Sequence, residues 1–227
     1  MHPITTKENR LFRRWKDKWL FKDGLPSPEG YLASKPKTLL LFRQANAKGK
    51  SGDLRDLDSI EGNLRFWRRV SSWCYGLRNI TRGATRTMGL WHDWERRRND
   101  LTFIKSTLGP FGFINLDKVG ARGTSSKARM KEVAEEKGKL IKQQLEFYQP
   151  DVIIACGLGE LFDLLRGIID SQGEAVIKLG KRKFQEVRLS GRPVYLVESY
   201  HPAQRGNTYD AFAEVVGSFR QVAKNIV

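Results

Sequence analysis

Short apolar runs alternate with longer amphipathic segments along most of the chain. The apolar runs predict buried strands at residues 38–42, 111–116, 151–156 and 193–198. Apolar residues at helical spacing predict helices over 7–22, 63–78, 88–106, 126–148, 158–170 and 209–226. Alternating polar and apolar residues over 174–189 predict an antiparallel hairpin. Because strands alternate with helices, we expect an α/β fold: a three-layer αβα sandwich around a central, mostly parallel four-stranded sheet.

The first 36 residues differ from the rest of the chain. The basic helix predicted over 7–22 is followed by a turn-rich stretch, DGLPSPEGYLASKP, whose prolines interrupt regular structure. A chain of 227 residues that is 40% hydrophobic is long enough to bury one sizeable core. We therefore expect a basic N-terminal helix and linker over 1–36 and a single α/β domain over 37–227.

The charge of the chain points to a polyanionic partner. Lys and Arg total 41 against 25 Asp and Glu, a formal net charge of +16, and this excess favours nucleic acid. Cations and aromatic residues are interleaved over 10–22 and 65–86. This pattern suits a strand whose bases stack on the aromatic rings. Alternatively, the aromatic residues form the inner faces of amphipathic helices and the cations their solvated faces.

Several classes of protein are disfavoured by the composition. No apolar stretch approaches the roughly 20 residues that cross a bilayer, and the N-terminus lacks the apolar stretch of a secretory signal, so we expect a cytoplasmic protein. Cys74 and Cys156 are too few for a four-thiolate metal site, and Cys156 is expected to pack in the core. We expect no metal, no cofactor and a monomer.

Polar residues suited to catalysis follow three of the predicted strands. Asn46 follows LLLFRQA, Asn115 ends FGFIN, and His201 follows the last strand in VESYHPAQRG. Open α/β sheets build their sites at the carboxyl ends of parallel strands, so these three side chains are expected to converge. The sequence therefore predicts a site that carries chemistry.

A series of motifs in a fixed order accompanies these residues. They are FRQANAKG, NLRFWRRV, GFIN, SSK, YQPDVIIACG and the His-Pro pair at His201. In this order they resemble the uracil-DNA glycosylase superfamily, nearest its mismatch-specific uracil and thymine DNA glycosylase branch. The resemblance covers roughly residues 37–227, and it implies the uracil-DNA glycosylase fold.

The resemblance implies a monofunctional DNA glycosylase that flips out an altered pyrimidine and hydrolyses its N-glycosidic bond. Asn46 would orient the attacking water, and His201 would stabilise the departing base anion. Asn115 would read the polar edge of the flipped base, with Phe113 or Trp67 stacking on it. Each polar residue also has a plainer interpretation: a turn residue for Asn46, a loop cap for Asn115 and a surface loop for His201.

Basic residues near these motifs are candidates for DNA binding. Arg205 follows the His-Pro pair where family members insert a side chain into the gap left by the flipped base, and a simple phosphate contact is the alternative. The other candidates are Arg14, Lys48, Lys127 and Arg69. Lys48 is close enough to Asn46 that a Schiff-base mechanism stays open.

Departures from the family motifs favour an unusual substrate. Gln44, Ala47 and Lys48 replace small or proline residues of the first motif, and Ala203 replaces the serine after His-Pro. Larger residues there reshape the base pocket. This leads to the hypothesis of an antiviral enzyme that excises modified cytosine from phage DNA. The rival hypotheses are a non-catalytic nucleic-acid-binding protein that retains the fold and a basic RNA-associated protein.

Overall fold

A computed structural model of the chain describes residues 2–17, 19–46, 50–121, 126–157, 159–169, 177–179, 182–203 and 208–223. Its helices are α1 (Pro3–Arg13), α2 (Pro28–Leu32), α3 (Leu64–Ile80), α4 (Thr87–Arg97), α5 (Leu101–Leu108), α6 (Lys127–Tyr148), α7 (Gly159–Ile169) and α8 (Thr208–Ala223). Its strands are β1 (Phe21–Lys22), β2 (Thr38–Asn46), β3 (Gly52–Asp53), β4 (Gly112–Ala121), β5 (Val152–Cys156), β6 (Ile177–Leu179), β7 (Arg182–Leu189) and β8 (Arg192–Ser199). A 3₁₀ helix, Leu57–Asn63, leads into α3.

The central sheet contains the predicted parallel strands and an antiparallel extension. Its order is β4-β2-β5-β8-β7-β6. β2 pairs in parallel with β4 and β5, and β5 pairs in parallel with β8. The hairpin predicted over 174–189 is β6 and β7, which continue the sheet in antiparallel fashion beside β8. The α/β class is confirmed, whereas the predicted four-stranded sheet matches only roughly because this hairpin joins its edge.

Helices cover both faces of the sheet because the buried strand residues alternate in direction. On one face, Leu40 and Ile154 belong to a core cluster with side chains of α3, α4, α5 and α8. On the other face, Leu39 and Ile153 cluster with side chains of α1, α6 and α7. Both cysteines are free and buried, which confirms the expectation that Cys156 packs in the core.

The N-terminal segment covers the outer edge of β4. Gly24 exchanges backbone hydrogen bonds with Phe113, at 2.8 and 2.9 Å, and Leu20 forms a further bridge to Val119. Gly24 has a φ of +136°, and a Cβ there would clash with Glu8 and Tyr148, so only glycine fits this close approach. Unpaired groups at the edge of β4 are thereby satisfied from within the chain.

A buried polar network lies beneath this covering segment. The Lys118 Nζ atom donates to both carboxylate oxygens of Asp23, at 2.7 and 2.8 Å, and both side chains are 0% exposed. Asp23 also accepts from the Gln144 side chain at 2.9 Å. Tyr148 donates to the buried Glu8 at 2.6 Å and accepts from Gln144 at 2.8 Å. Burial lowers the pKa of Lys118, and the Asp23 carboxylate opposes that shift.

Two predicted helices differ from the structure. The helix expected over 7–22 begins earlier and ends at Arg13, because His2 caps its start and Lys16, with a φ of 58°, leaves helical geometry. The helix expected over 88–106 is two helices, because Asp100 accepts a hydrogen bond from the Phe103 amide at 3.0 Å and starts a new one. Local capping in both places overrides the apolar periodicity.

The interleaved aromatic residues are mainly core residues. Trp15, Trp67 and Trp73 are at most 6% exposed, whereas Trp19 is 41% exposed. The interpretation as inner helix faces therefore holds for Trp67 and Trp73 on α3, and Trp15, just beyond α1, is equally buried. Fully buried rings are closed to bases of a bound strand, which excludes the stacking interpretation for Trp15 and Trp73.

Removing one partner of the buried ion pair is expected to destabilise the fold strongly, because the other charge stays buried without a partner. Lys118→Met leaves the Asp23 carboxylate buried without its cation, so we expect the free energy of unfolding to fall by about 3–5 kcal/mol. Lys131→Met, which removes a cation from an exposed pair with Glu135, is the control and should cost less than about 1 kcal/mol. Urea denaturation measures both values. Equal, small losses would show that the buried pair does not stabilise the fold.

Candidate functional site

A pocket of about 610 Å³ opens beside the carboxyl-terminal part of the parallel strands. It is bounded by β2, β4, the segment after β8, and the segment from residue 50 to α3. Three of the predicted site residues line it: Asn115, Trp67 and His201. The pocket lining also includes Phe21, Phe42, Gln44, Ala45, Asp53, Asp56, Asn63, Phe66 and Ala203. The structure thus brings together side chains that are far apart in the chain.

Asn115 lines the pocket, and its backbone is held by hydrogen bonds to two buried charged side chains. Its backbone N–H donates to Asp23 at 2.7 Å, and its carbonyl accepts from Lys118 at 3.1 Å. The residue is only 1% exposed, and its side-chain Nδ2 has no hydrogen-bond partner. A buried amide donor without a partner is costly, so a ligand that offers an acceptor would relieve that cost.

His201 presents a neutral imidazole to the pocket. Its Nδ1 accepts a hydrogen bond from the Ala203 backbone N–H at 3.1 Å, so the ring proton of the neutral form lies on Nε2. Burial, with the nearby Arg43 cation adding to it, lowers the pKa of His201 to about 4. The ring packs near Phe42 and Phe66, with centroid distances of 6.4 and 6.0 Å. At neutral pH the residue is therefore a fixed N–H donor without charge.

Aromatic rings form one wall of the pocket. Phe42, Phe66 and Trp67 line it, and Phe66 meets Trp67 edge-on at 5.2 Å. Phe113, one of the predicted stacking residues, is fully buried and lies behind this wall, 5.1 Å from the Trp67 ring. Phe66 and Phe42 were missed as site residues, although Phe66 stands in the NLRFWRRV motif beside Trp67. An aromatic wall of this kind fits a flat ring.

The end of β2 provides a further polar wall. Gln44 lines the pocket, and its Nε2 is buried and has no hydrogen-bond partner. The pairing of β2 with β4 is irregular between Gln44 and Asn46. Asn46 is the last residue of β2, next to the pocket-lining Ala45, and its side chain lies outside the described part of the structure. The backbone thus places the predicted water-orienting residue at the pocket rim.

The pocket also has an acidic wall that was not predicted from the sequence. Asp53 and Asp56 line the pocket. Asp53 binds Arg55 at 2.6 Å, and this cation lowers the pKa of Asp53, so that carboxyl is ionised at neutral pH. The wall is anchored to the N-terminal segment because β3 pairs with β1, which places the Phe21 ring in the pocket as well. No local sequence pattern predicts that Phe21 and Asp53 line the pocket, because the pairing of β1 with β3 brings them there.

The predicted DNA-binding cations occupy different surroundings. Arg69 donates to the Pro202 carbonyl at 2.7 Å and so ties α3 to the loop that carries His201. Arg14 is exposed and donates to Gln143 at 2.6 Å, and Lys127 is exposed at the start of α6. Neither of these two lines the pocket. Lys48 and Arg205 lie outside the described residues.

Within the described ranges, no helix is long and apolar enough to span a membrane. In the same part of the chain, no group of three or more His, Cys, Asp or Glu could hold a metal ion. No family model matches the chain, and no curated protein matches it.

The pKa of His201 can be tested directly. The chain has only three histidines, and His201→Gln assigns its imidazole signal in NMR spectra. The signal should titrate with a midpoint of about 4, below the ordinary value of about 6.5. The neutral ring's contribution to stability is therefore full above pH 6.5 and is lost as the pH falls towards 4. A midpoint near 6.5 would show that water reaches the half-buried ring well enough to solvate its charged form.

Arg69 is expected to hold the His201 loop in place. Arg69→Met removes the hydrogen bond to Pro202, so the loop should loosen and admit water, and the pKa of His201 should rise towards its ordinary value. Arg68→Met is the matched control, because Arg68 donates to the Arg98 carbonyl instead. The same imidazole titration measures both variants. If the pKa of His201 is unchanged in Arg69→Met, Arg69 does not stabilise the loop that carries His201.

Proposed function

We propose that the chain is a monofunctional DNA glycosylase of the uracil-DNA glycosylase superfamily, nearest its mismatch-specific branch. It flips an altered pyrimidine out of DNA and hydrolyses the N-glycosidic bond to leave an abasic site. The observation that carries this proposal is the pocket itself, in which Asn115, an aromatic wall and a neutral His201 converge. The αβα arrangement with a mostly parallel sheet is compatible with that superfamily.

The polar groups of the pocket suit the charges that develop as the glycosidic bond is cleaved. As the glycosidic bond breaks, negative charge develops on the departing base and positive charge on the sugar. A neutral Nε2–H of His201 strengthens its hydrogen bond as charge builds on a base oxygen, which favours the transition state over the ground state. Asn46 at the rim orients the attacking water in this proposal.

The pocket volume favours a substituted base. Its volume of about 610 Å³ lies within the ~300–1,000 Å³ typical of pockets that bind drug-sized ligands. This is more than an unsubstituted pyrimidine ring fills. The polar wall with Asp53 and Asp56 can accept hydrogen bonds from a substituent that carries donors. We therefore propose modified cytosine as the substrate, and an antiviral role against phage DNA that contains it.

The charge of the protein supports DNA as the partner. The net charge of +16 favours association with phosphates. Lys50 lines the pocket, and Arg65 and Arg68 lie on α3, the helix that also contributes Trp67 to the pocket. Arg14 and Lys127 are exposed cations outside the pocket lining. In this proposal all of them contact phosphates of the bound DNA. In the same proposal Lys48 and Arg205 contact DNA as well. The enzyme acts as a cytoplasmic monomer without a metal or another cofactor.

An assay for abasic sites tests the proposed activity. DNA carrying uracil, mismatched thymine or modified cytosine is incubated with the protein and then treated with alkali. We expect strand cleavage at one of the altered bases, a loss of about 10²–10³ in rate for His201→Gln, and a loss of activity for Asn46→Ala. His92→Gln, an exposed histidine on α4, is the control and should retain full activity.

The rival hypotheses predict different results. DNA binding without abasic sites on any substrate would favour a non-catalytic nucleic-acid-binding protein that retains the fold. Tight RNA binding that is indifferent to Asn46→Ala and His201→Gln would favour an RNA-associated protein. Either outcome would contradict the proposed hydrolysis.

A further inference from the structure

Gln44 occupies a position in the pocket that suits a ligand contact. It follows Phe42 by two residues on β2, so both side chains point to the same face of the sheet and both line the pocket. The Nε2 atom of Gln44 is buried, and it has no hydrogen-bond partner. A buried amide donor destabilises the protein unless an acceptor binds it, and because Gln44 lines the pocket, a ligand bound there is a source of that acceptor.

The neighbouring strand carries the second unpartnered amide. Asn115 on β4 pairs with Phe42, and Gln44 pairs with Asp117, so the two amides lie diagonally across adjacent strands. Residues two apart along a strand are separated by about 6.6 Å. Because the two residues are offset along the strands, their donors are able to address different atoms of one bound ring. Gln44 is the nearer of the two to Asn46, at the end of β2.

Other polar groups of the pocket differ from this pair. The Asp53 carboxylate is bound by Arg55, and carboxylates accept hydrogen bonds rather than donate them. The His201 Nδ1 atom is occupied by the Ala203 amide. Among the described pocket residues, Gln44 and Asn115 are those with a buried side-chain nitrogen that lacks a partner.

We propose that Gln44 is a specificity-determining residue that donates a hydrogen bond from Nε2 to an oxygen of the extruded pyrimidine. This oxygen is distinct from the atom that Asn115 contacts. The inference rests on the proposed function, since it assumes that a base enters the pocket. The C2 carbonyl is present in every pyrimidine, so a bond to it confers no specificity. Two oxygens remain that distinguish one base from another: the C4 carbonyl of the ring and a hydroxyl on a C5 substituent.

Matched pairs of bases show which of these oxygens accepts the hydrogen bond from Gln44. Uracil and cytosine differ at C4, where a carbonyl replaces an amino group, and 5-hydroxymethylcytosine differs from 5-methylcytosine by one hydroxyl oxygen. Each base is placed in the same oligonucleotide on a 2′-fluorinated sugar. The fluorine withdraws electrons from the sugar and slows cleavage, so fluorescence anisotropy reports binding of the full chain without hydrolysis.

Gln44→Met is the test variant, because methionine has a similar size and no N–H donor. We expect it to weaken binding of the oxygen-bearing member of one pair by about tenfold to a hundredfold, and of its partner less than threefold. A loss on uracil identifies the C4 carbonyl, and a loss on 5-hydroxymethylcytosine identifies the C5 hydroxyl. Gln44→Glu, which replaces the donor by an acceptor, should show the same selective loss if the C4 carbonyl is the partner, whereas a C5 hydroxyl can donate to the Glu carboxylate and keep a hydrogen bond.

Gln221→Met is the matched control on α8, where Gln221 is exposed and lies outside the pocket lining. It should leave all four affinities unchanged. Equal losses on both members of each pair, or no loss, in the two folded Gln44 variants would overturn the inference. So would a native protein that binds both members of each pair equally. Selective binding combined with no cleavage of ordinary sugars would instead count against the proposed hydrolysis and leave the role of Gln44 supported.

Discussion

The buried ion pair between Asp23 and Lys118 fixes the part of the structure on which the pocket depends. Asp23 comes from the N-terminal segment and Lys118 from β4, and together they bind the backbone N–H and carbonyl of Asn115. Because both charges are shielded from water, removing either one leaves the other unpaired and costs much free energy. β4 is thereby held in the position in which Asn115 lines the pocket. The N-terminal segment, which supplies Asp23, therefore helps to form the site.

In the pocket, too, polar groups are held in place by neighbouring residues. Burial keeps His201 neutral, and the Ala203 amide selects the tautomer that carries the proton on Nε2. Arg69 ties the same loop to α3 through Pro202. These contacts prepare the donors before any ligand arrives, which is the condition under which electrostatic stabilisation of a developing anion is most effective. The unpartnered amides of Asn115 and Gln44 are the remaining groups for a ligand to satisfy.

The sequence predicts the helices and strands better than the tertiary contacts between them. Apolar runs located the parallel strands, and the rule that polar residues at strand ends converge brought Asn115 and His201 to one pocket. The Asp23–Lys118 pair was not predicted, because it joins residues whose proximity depends on tertiary packing and leaves no local pattern. Phe21 and Asp53 were missed for the same reason, since the pairing of β1 with β3 carries them to the pocket. Helix boundaries failed where a cap, such as Asp100, interrupts a continuous apolar periodicity.

The central claim is that a base rotated out of DNA enters this pocket. A crystal structure of the full chain with a duplex containing a 2′-fluorinated modified cytosine tests it most directly. We predict electron density for the base between the aromatic wall and Asn115, with His201 Nε2 within hydrogen-bond distance of a base oxygen. A base that remains stacked in the duplex, with the protein bound through another surface, would contradict the claim.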